Sequence, residues 1–83
     1  IMVFSSKNDE IGAAVTSEVG RGATLLNAEG GYSHKDQKVL VVMAHKTDKP
    51  LIMQIIHRID SDAFISVCKT QGVYGRNFEK LKM

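Results

Sequence analysis

Gly20-Arg21-Gly22-Ala23-Thr24-Leu25-Leu26-Asn27-Ala28-Glu29-Gly30-Gly31-Tyr32 is the stretch around which the chain is organised. Four of the seven glycines lie in it, two at each end of a short strand-forming run, so it reads as a strand between two glycine breaks. Gly20 stands where a helix-ending glycine belongs, because glycine takes the left-handed conformation without steric cost.

Upstream of Gly20 the spacing predicts a helix. Ile11, Ala14, Val15 and Val19 share one face, Asp9 and Glu10 sit in the first turn, and Asn8 or Ser6 is the expected N-cap. Ile1-Met2-Val3-Phe4-Ser5 before it reads as a first strand. Downstream, Gly30-Gly31 is expected to be a bulge or bend in the second strand. Tyr32–Gln37 is a polar connection, and Lys38–Lys46 a third strand with an unbroken apolar run, Val39–Ala44. Thr47-Asp48-Lys49-Pro50 opens a second helix, with Asp48 as a capping residue and Pro50 tolerated in the first turn. Leu51, Ile52, Ile55, Ile56 and Ile59 fall on one face of that helix. Asp60-Ser61-Asp62 ends it, Ala63–Thr70 is a fourth strand, and residues 72–83 form a glycine-containing tail expected to pack.

Strand, helix, strand, strand, helix, strand is the α+β, ferredoxin-like order: βαββαβ, a four-stranded antiparallel sheet with two helices on one face. The third strand is apolar on both faces, which is the mark of burial on both sides. Residues 1–83 form a single domain too small to cover its own second sheet face, so a homo-oligomer with open faces packed inward is expected. The alternative cover is the tail, with Tyr74 and Phe78 laid across the sheet.

Composition narrows the setting. With 43% hydrophobic residues a packed core is within reach. One cysteine, Cys68, excludes an intrachain disulfide and fits a reducing compartment. The apolar runs are far shorter than the roughly 20 residues of a membrane span, and no signal-peptide pattern is present. A scattered net charge of +2 is not the basic stripe of a nucleic-acid binder. The third strand also lacks the aromatics of an RNA-recognition sheet. Beginning on Ile1 inside a strand-like run, the chain reads as a segment of a longer protein.

Gly20-Arg21-Gly22-Ala23-Thr24, Glu29-Gly30-Gly31-Tyr32, Ile59-Asp60-Ser61-Asp62-Ala63-Phe64 and Val73-Tyr74-Gly75-Arg76-Asn77-Phe78 together resemble the small cytosolic domain at the C-terminus of the YitT family of bacterial multipass membrane proteins. The last motif departs from the family pattern, with Asn77 where a second glycine is usual. The resemblance implies transmembrane helices before Ile1 and a place on the cytoplasmic side of the bacterial membrane. It also implies a fold like that of the P-II signalling proteins, which are trimers with ligand clefts between subunits.

The candidate ligand-binding residues are Arg21, Gly22, Thr24, Glu29, Gly30, Tyr32 and Arg76. The sharp reading is an anion or nucleotide site between subunits: arginines among backbone N–H groups, with Tyr32 stacking on a base. The plain reading is a helix C-cap and turn at Gly20–Gly22, a bulge at Gly30-Gly31 and a solvated Arg76. The glycines follow a helix rather than precede one, which is the wrong end of the dipole for a phosphate loop. No catalytic constellation stands out. His34, His45 and His57 lack metal-ligand spacing, and no cofactor is expected.

Overall fold

A computed structural model describes residues 1–74. It contains β1 (Met2–Phe4), α1 (Asn8–Glu18), β2 (Ala23–Glu29), β3 (Asp36–Val42), a 3-10 turn (Lys46–Asp48), α2 (Lys49–Ile59) and β4 (Phe64–Ser66). The strands form one sheet in the order β2-β3-β1-β4, every neighbouring pair antiparallel. This is the ferredoxin-like arrangement expected from the sequence. Arg76, Phe78 and most of the tail lie outside the described residues.

Strand lengths are set by partners rather than by local pattern. β3 is central, pairing Val39 with both Phe4 and Leu26. It stops at Val42, where Ala23 is the last β2 partner, so the strand expected to reach Lys46 is shorter at that end. At its other end it reaches back to Asp36, because β2 continues to Glu29. β4 spans Phe64–Ser66 rather than Ala63–Thr70, since β1, its one neighbour among the described residues, offers the three residues Met2–Phe4. Gly30 and Gly31 lie in the β2–β3 connection, not inside a strand. The Gly30 N–H bonds the Lys35 carbonyl and the His34 N–H bonds the Gly30 carbonyl.

Both helices cover one face. Val3, Leu40 and Val42 of the sheet meet Ile11 and Val15 of α1 and Ile52, Ile55 and Ile56 of α2, all fully buried. Burying eight such side chains, at about 1.5–3 kcal/mol each, is the main force holding the layers together. α1 lies close enough to β3 that a Cβ on Gly12 would stand 3.3 Å from Leu40 Cδ1. Leu51, grouped by spacing with the α2 core residues, is 41% exposed. It lies in the first turn, to one side of the stripe that Ile52, Ile55 and Ile56 turn toward the sheet.

The expected N-cap of α1 is corrected. Lys7 occupies that position, without a side-chain cap bond, and Asn8 is the first helical residue. Asn8 is buried, and its Nδ2 donates to the Val3 and Lys38 carbonyls, both at 2.9 Å. β1 and β3 part here as β1 turns away into α1, and the carboxamide bonds both strands at that point. At the other end of α1, Gly20 takes φ 79°, the left-handed cap.

The sheet has two ends. At one, Ile1 pairs with Val42 through reciprocal backbone bonds, beside Ala23 and Ser66. At the other lie Phe4, Phe64, the β2–β3 connection and the C-terminus of α2.

Candidate functional site

Arg21 stands just beyond the left-handed glycine that ends α1, so its side chain is carried toward the start of α2. There its Nε donates to Asp48 Oδ2 at 2.7 Å, with both side chains mostly covered (24% and 18% exposed). The same Asp48 oxygen accepts the His45 N–H at 3.0 Å. Burial pulls the Asp48 carboxyl upward. The Arg21 hydrogen bond, the His45 N–H and the neighbouring positive charge outweigh it and hold the group below its ordinary value. An anion approaching Arg21 therefore competes with a carboxylate already in place. Gly22 beside it is exposed, and a Cβ there would meet nothing within 4 Å. Thr24 lies exposed on β2, opposite Val41.

The second half of the candidate set lies at the far end of β2. Glu29 is its last residue, and its Oε2 is 2.9 Å from His34 Nδ1. His34 itself takes a left-handed φ of 58°. A Cβ on Gly30 would stand 2.6 Å from Ser33 Oγ, so the connection closes tightly there. Tyr32 projects into solvent, 99% exposed. The seven residues of β2, at about 3.3 Å each, set the two halves roughly 20 Å apart. One chain thus brings Glu29, Gly30 and Tyr32 near one another, and Arg21 and Gly22 likewise, but it does not join the two groups.

Sequence reasoning missed Asp48 as the partner of Arg21, because the two are 27 positions apart. It also missed two shallow grooves at the Phe4 end of the sheet. One, of about 500 Å³, runs between α2 and β4, with Met53, Ile56, Ala63 and Ile65 along it and His57 and Arg58 at its side. The other, of about 510 Å³, lies where β1 turns into α1, lined by Ser5, Ser6, Asp9 and Lys38 among others. Two further carboxylates are held down in pKa. Glu18 is lowered by the hydrogen bond from Arg58 (2.7 Å), and Asp60 by that from the Ser5 hydroxyl. Among the described residues no group of three or more His, Cys, Asp and Glu side chains converges as metal ligands. No helix among them is long and apolar enough to cross a membrane.

The sheet face away from the helices carries Met2 and Phe4 of β1, Val39 and Val41 of β3, Thr24 and Leu26 of β2, and Phe64 and Ser66 of β4, by strand register. None is charged. The Phe4 and Phe64 rings pack in a tilted pair, 56° apart in plane and 5.7 Å between centroids. Leu26 is 45% and Phe64 70% exposed.

Comparison with known proteins agrees with this architecture. The crystal structure of an uncharacterised protein conserved in bacteria, DUF2179 from Eubacterium ventriosum, superposes with a TM-score of 0.68 at 25% identity, covering 76% of this chain and 86% of that one. The UPF0750 membrane protein YpjC of Bacillus subtilis (strain 168) is 34% identical over 76 residues, which are 92% of this chain but 26% of that protein. The UPF0750 membrane protein YitT of the same organism is 24% identical over 74 residues, again 26% of its length. The chain thus spans about a quarter of these relatives. Residues 21–75 match the family described as "Uncharacterized protein conserved in bacteria (DUF2179)", and the chain belongs to that family.

Proposed function

We propose that the chain is the C-terminal, cytoplasmic regulatory domain of a bacterial membrane protein, and that it works as a homo-oligomer through its open sheet face. The observation that carries this reading is the uncharged row Leu26, Val39, Phe4 and Phe64 across all four strands. A face that packs on a copy of itself cannot carry like charges at its centre, and this one carries none. Leu26 and Phe64 are exposed at the two edges of the row, with half-buried Phe4 and buried Val39 between them, and exposed apolar side chains on an uncharged face mark an interaction surface. The trimer of P-II proteins is the arrangement favoured by analogy of fold.

Sedimentation velocity of the chain at high micromolar concentration tests it. The expected result is an oligomer that Leu26→Asp/Phe64→Asp converts to a monomer of unchanged far-UV spectrum. A monomeric parent chain overturns the reading.

A second reading is supported by the separation of the candidate residues. Since Arg21 and Tyr32 do not meet within one chain, a small anionic metabolite or nucleotide touching both would bind between copies and bias their association. A thermal-shift screen against nucleotides, cyclic dinucleotides and anionic metabolites tests this. The ligand-induced shift should vanish in both Arg21→Ala and Tyr32→Ala. A blank across the panel leaves assembly as the whole role.

A further inference from the structure

The charges of the described residues are sorted along the strand direction. At the Phe4 end lie six carboxylates: Asp9 and Glu10 in the first turn of α1, Glu29 and Asp36 facing each other across the β2–β3 ladder, and Asp60 and Asp62 after α2. Four cations accompany them, Lys7, Lys35, Lys38 and, in the last turn of α2, Arg58; Lys38 lies 3.6 Å from Asp9. The Ile1 end is the reverse. Of its carboxylates among the described residues, Asp48 is held by Arg21 at 2.7 Å, and Glu18, at the end of α1, is met at 2.7 Å by Arg58 reaching from the last turn of α2. Lys46, Lys49 and Lys69 stand exposed there: Lys46 in the 3-10 turn, Lys49 at the start of α2, and Lys69 three residues beyond the end of β4. Close to them along the chain, Met43, Leu51 and Val67 are 48%, 41% and 48% exposed. Basic side chains interleaved with exposed apolar ones make a surface suited to an anionic lipid interface. The Phe4 end also exposes apolar groups, Tyr32 and Phe64, but its carboxylates would be repelled there.

The backbone gives this surface its partner. Ile1 is paired with Val42 at the same end, so any residue preceding Ile1 leaves the sheet from the basic side. The relatives are membrane proteins about four times as long as the match. We infer that the Ile1 end of the domain, through Lys46, Lys49 and Lys69 with Met43, Leu51 and Val67, rests on the anionic headgroup surface of the membrane, leaving the acidic Phe4 end facing away. The inference is independent of any small ligand, and it uses the end of the sheet rather than its open face.

Cys68, exposed between Val67 and Lys69, is a built-in reporter. It is labelled with a polarity-sensitive fluorophore, and the chain is mixed with vesicles of equal parts phosphatidylglycerol and phosphatidylcholine at about 0.02 M salt. The emission is expected to shift to the blue and to become shielded from iodide. A label on Tyr32→Cys/Cys68→Ser should not respond, and about 0.5 M salt should reverse the Cys68 response by screening. Each lysine near such a surface is worth roughly fivefold in partitioning. Lys46→Glu/Lys49→Glu should therefore lower partitioning by more than about tenfold, while the charge-matched Lys7→Glu/Lys35→Glu should not. A response on phosphatidylcholine alone, an equal response from the Tyr32 position, equal loss in both double variants, or no response at all would overturn the inference.

Discussion

Arg21 Nε and Asp48 Oδ2 meet at 2.7 Å, joining the turn that ends α1 to the residue that begins α2. The pair closes the Ile1 end of the helical layer, and it commits the arginine that the sequence offers as an anion ligand. Its effect on stability is modest, because both side chains keep some contact with water. Arg21→Ala is expected to cost about 0.5–1 kcal/mol. Asp48→Ala, which also removes the bond from the His45 N–H, is expected to cost about 1–2 kcal/mol. Urea midpoints at pH 7 check the order.

Acid should weaken the fold. Glu18, Asp48 and Asp60 all lie below their ordinary values in the folded chain. Their contribution is fully present above the ordinary carboxylate range and is lost as pH falls through the lowered folded values, because the unfolded chain takes up protons first. The urea midpoint is expected to fall between about pH 5 and pH 3. Asp48→Asn, which cannot take up that proton, should show a shallower fall than the parent.

Asn8 offers a sharper test. Its carboxamide satisfies two carbonyls, that of Val3 in a buried bond and that of Lys38 in a partly buried one. Asn8→Ala leaves both without that donor and is expected to cost about 2–3 kcal/mol. Asn8→Asp turns a charged acceptor toward the same carbonyls and should cost more at pH 7, with part of the loss recovered in acid. Chemical denaturation at pH 7 and pH 4 distinguishes the two variants.

The glycines of the organising stretch are not equivalent. Gly20 lies at φ 79°, whereas a Cβ on Gly22 meets open space. Gly20→Ala is expected to cost about 1 kcal/mol and Gly20→Asn less. Gly22→Ala should stay within about 0.5 kcal/mol. Thermal midpoints suffice, and a large loss at Gly22 would point to a role for that glycine outside the isolated fold.

What could be read from the chain divides by range. The stripe Ile52, Ile55 and Ile56 was legible because helical spacing and core position are the same fact there. Leu51 was not separable from it, since the side of a helix facing a sheet depends on where the sheet is. Gly20 was legible because a left-handed cap is a local demand. Strand ends were not, since β4 is cut to three residues by the length of β1, some sixty positions earlier. The same limit hid Asp48 from Arg21 and gave Asn8 the look of a cap. Nothing local tells an asparagine that ends a helix from one that ties two strands. The candidate ligand residues were grouped by their closeness along the chain, and an extended strand is what spreads such neighbours apart.

The position of β1 has a consequence for synthesis. It is the first element of this domain to be made, yet both of its neighbours come later: Ile1 waits for Val42, 41 positions on, and Phe4 waits for Phe64. Until β4 is made, one full edge of a central apolar strand has nothing to bond, and loops of this length are slow to close. The domain therefore completes its native sheet only once Phe64–Ser66 has emerged. A ribosome stalled before Phe64 holds a chain with an open strand edge, the form most exposed to chaperones and to mispairing with a neighbouring copy.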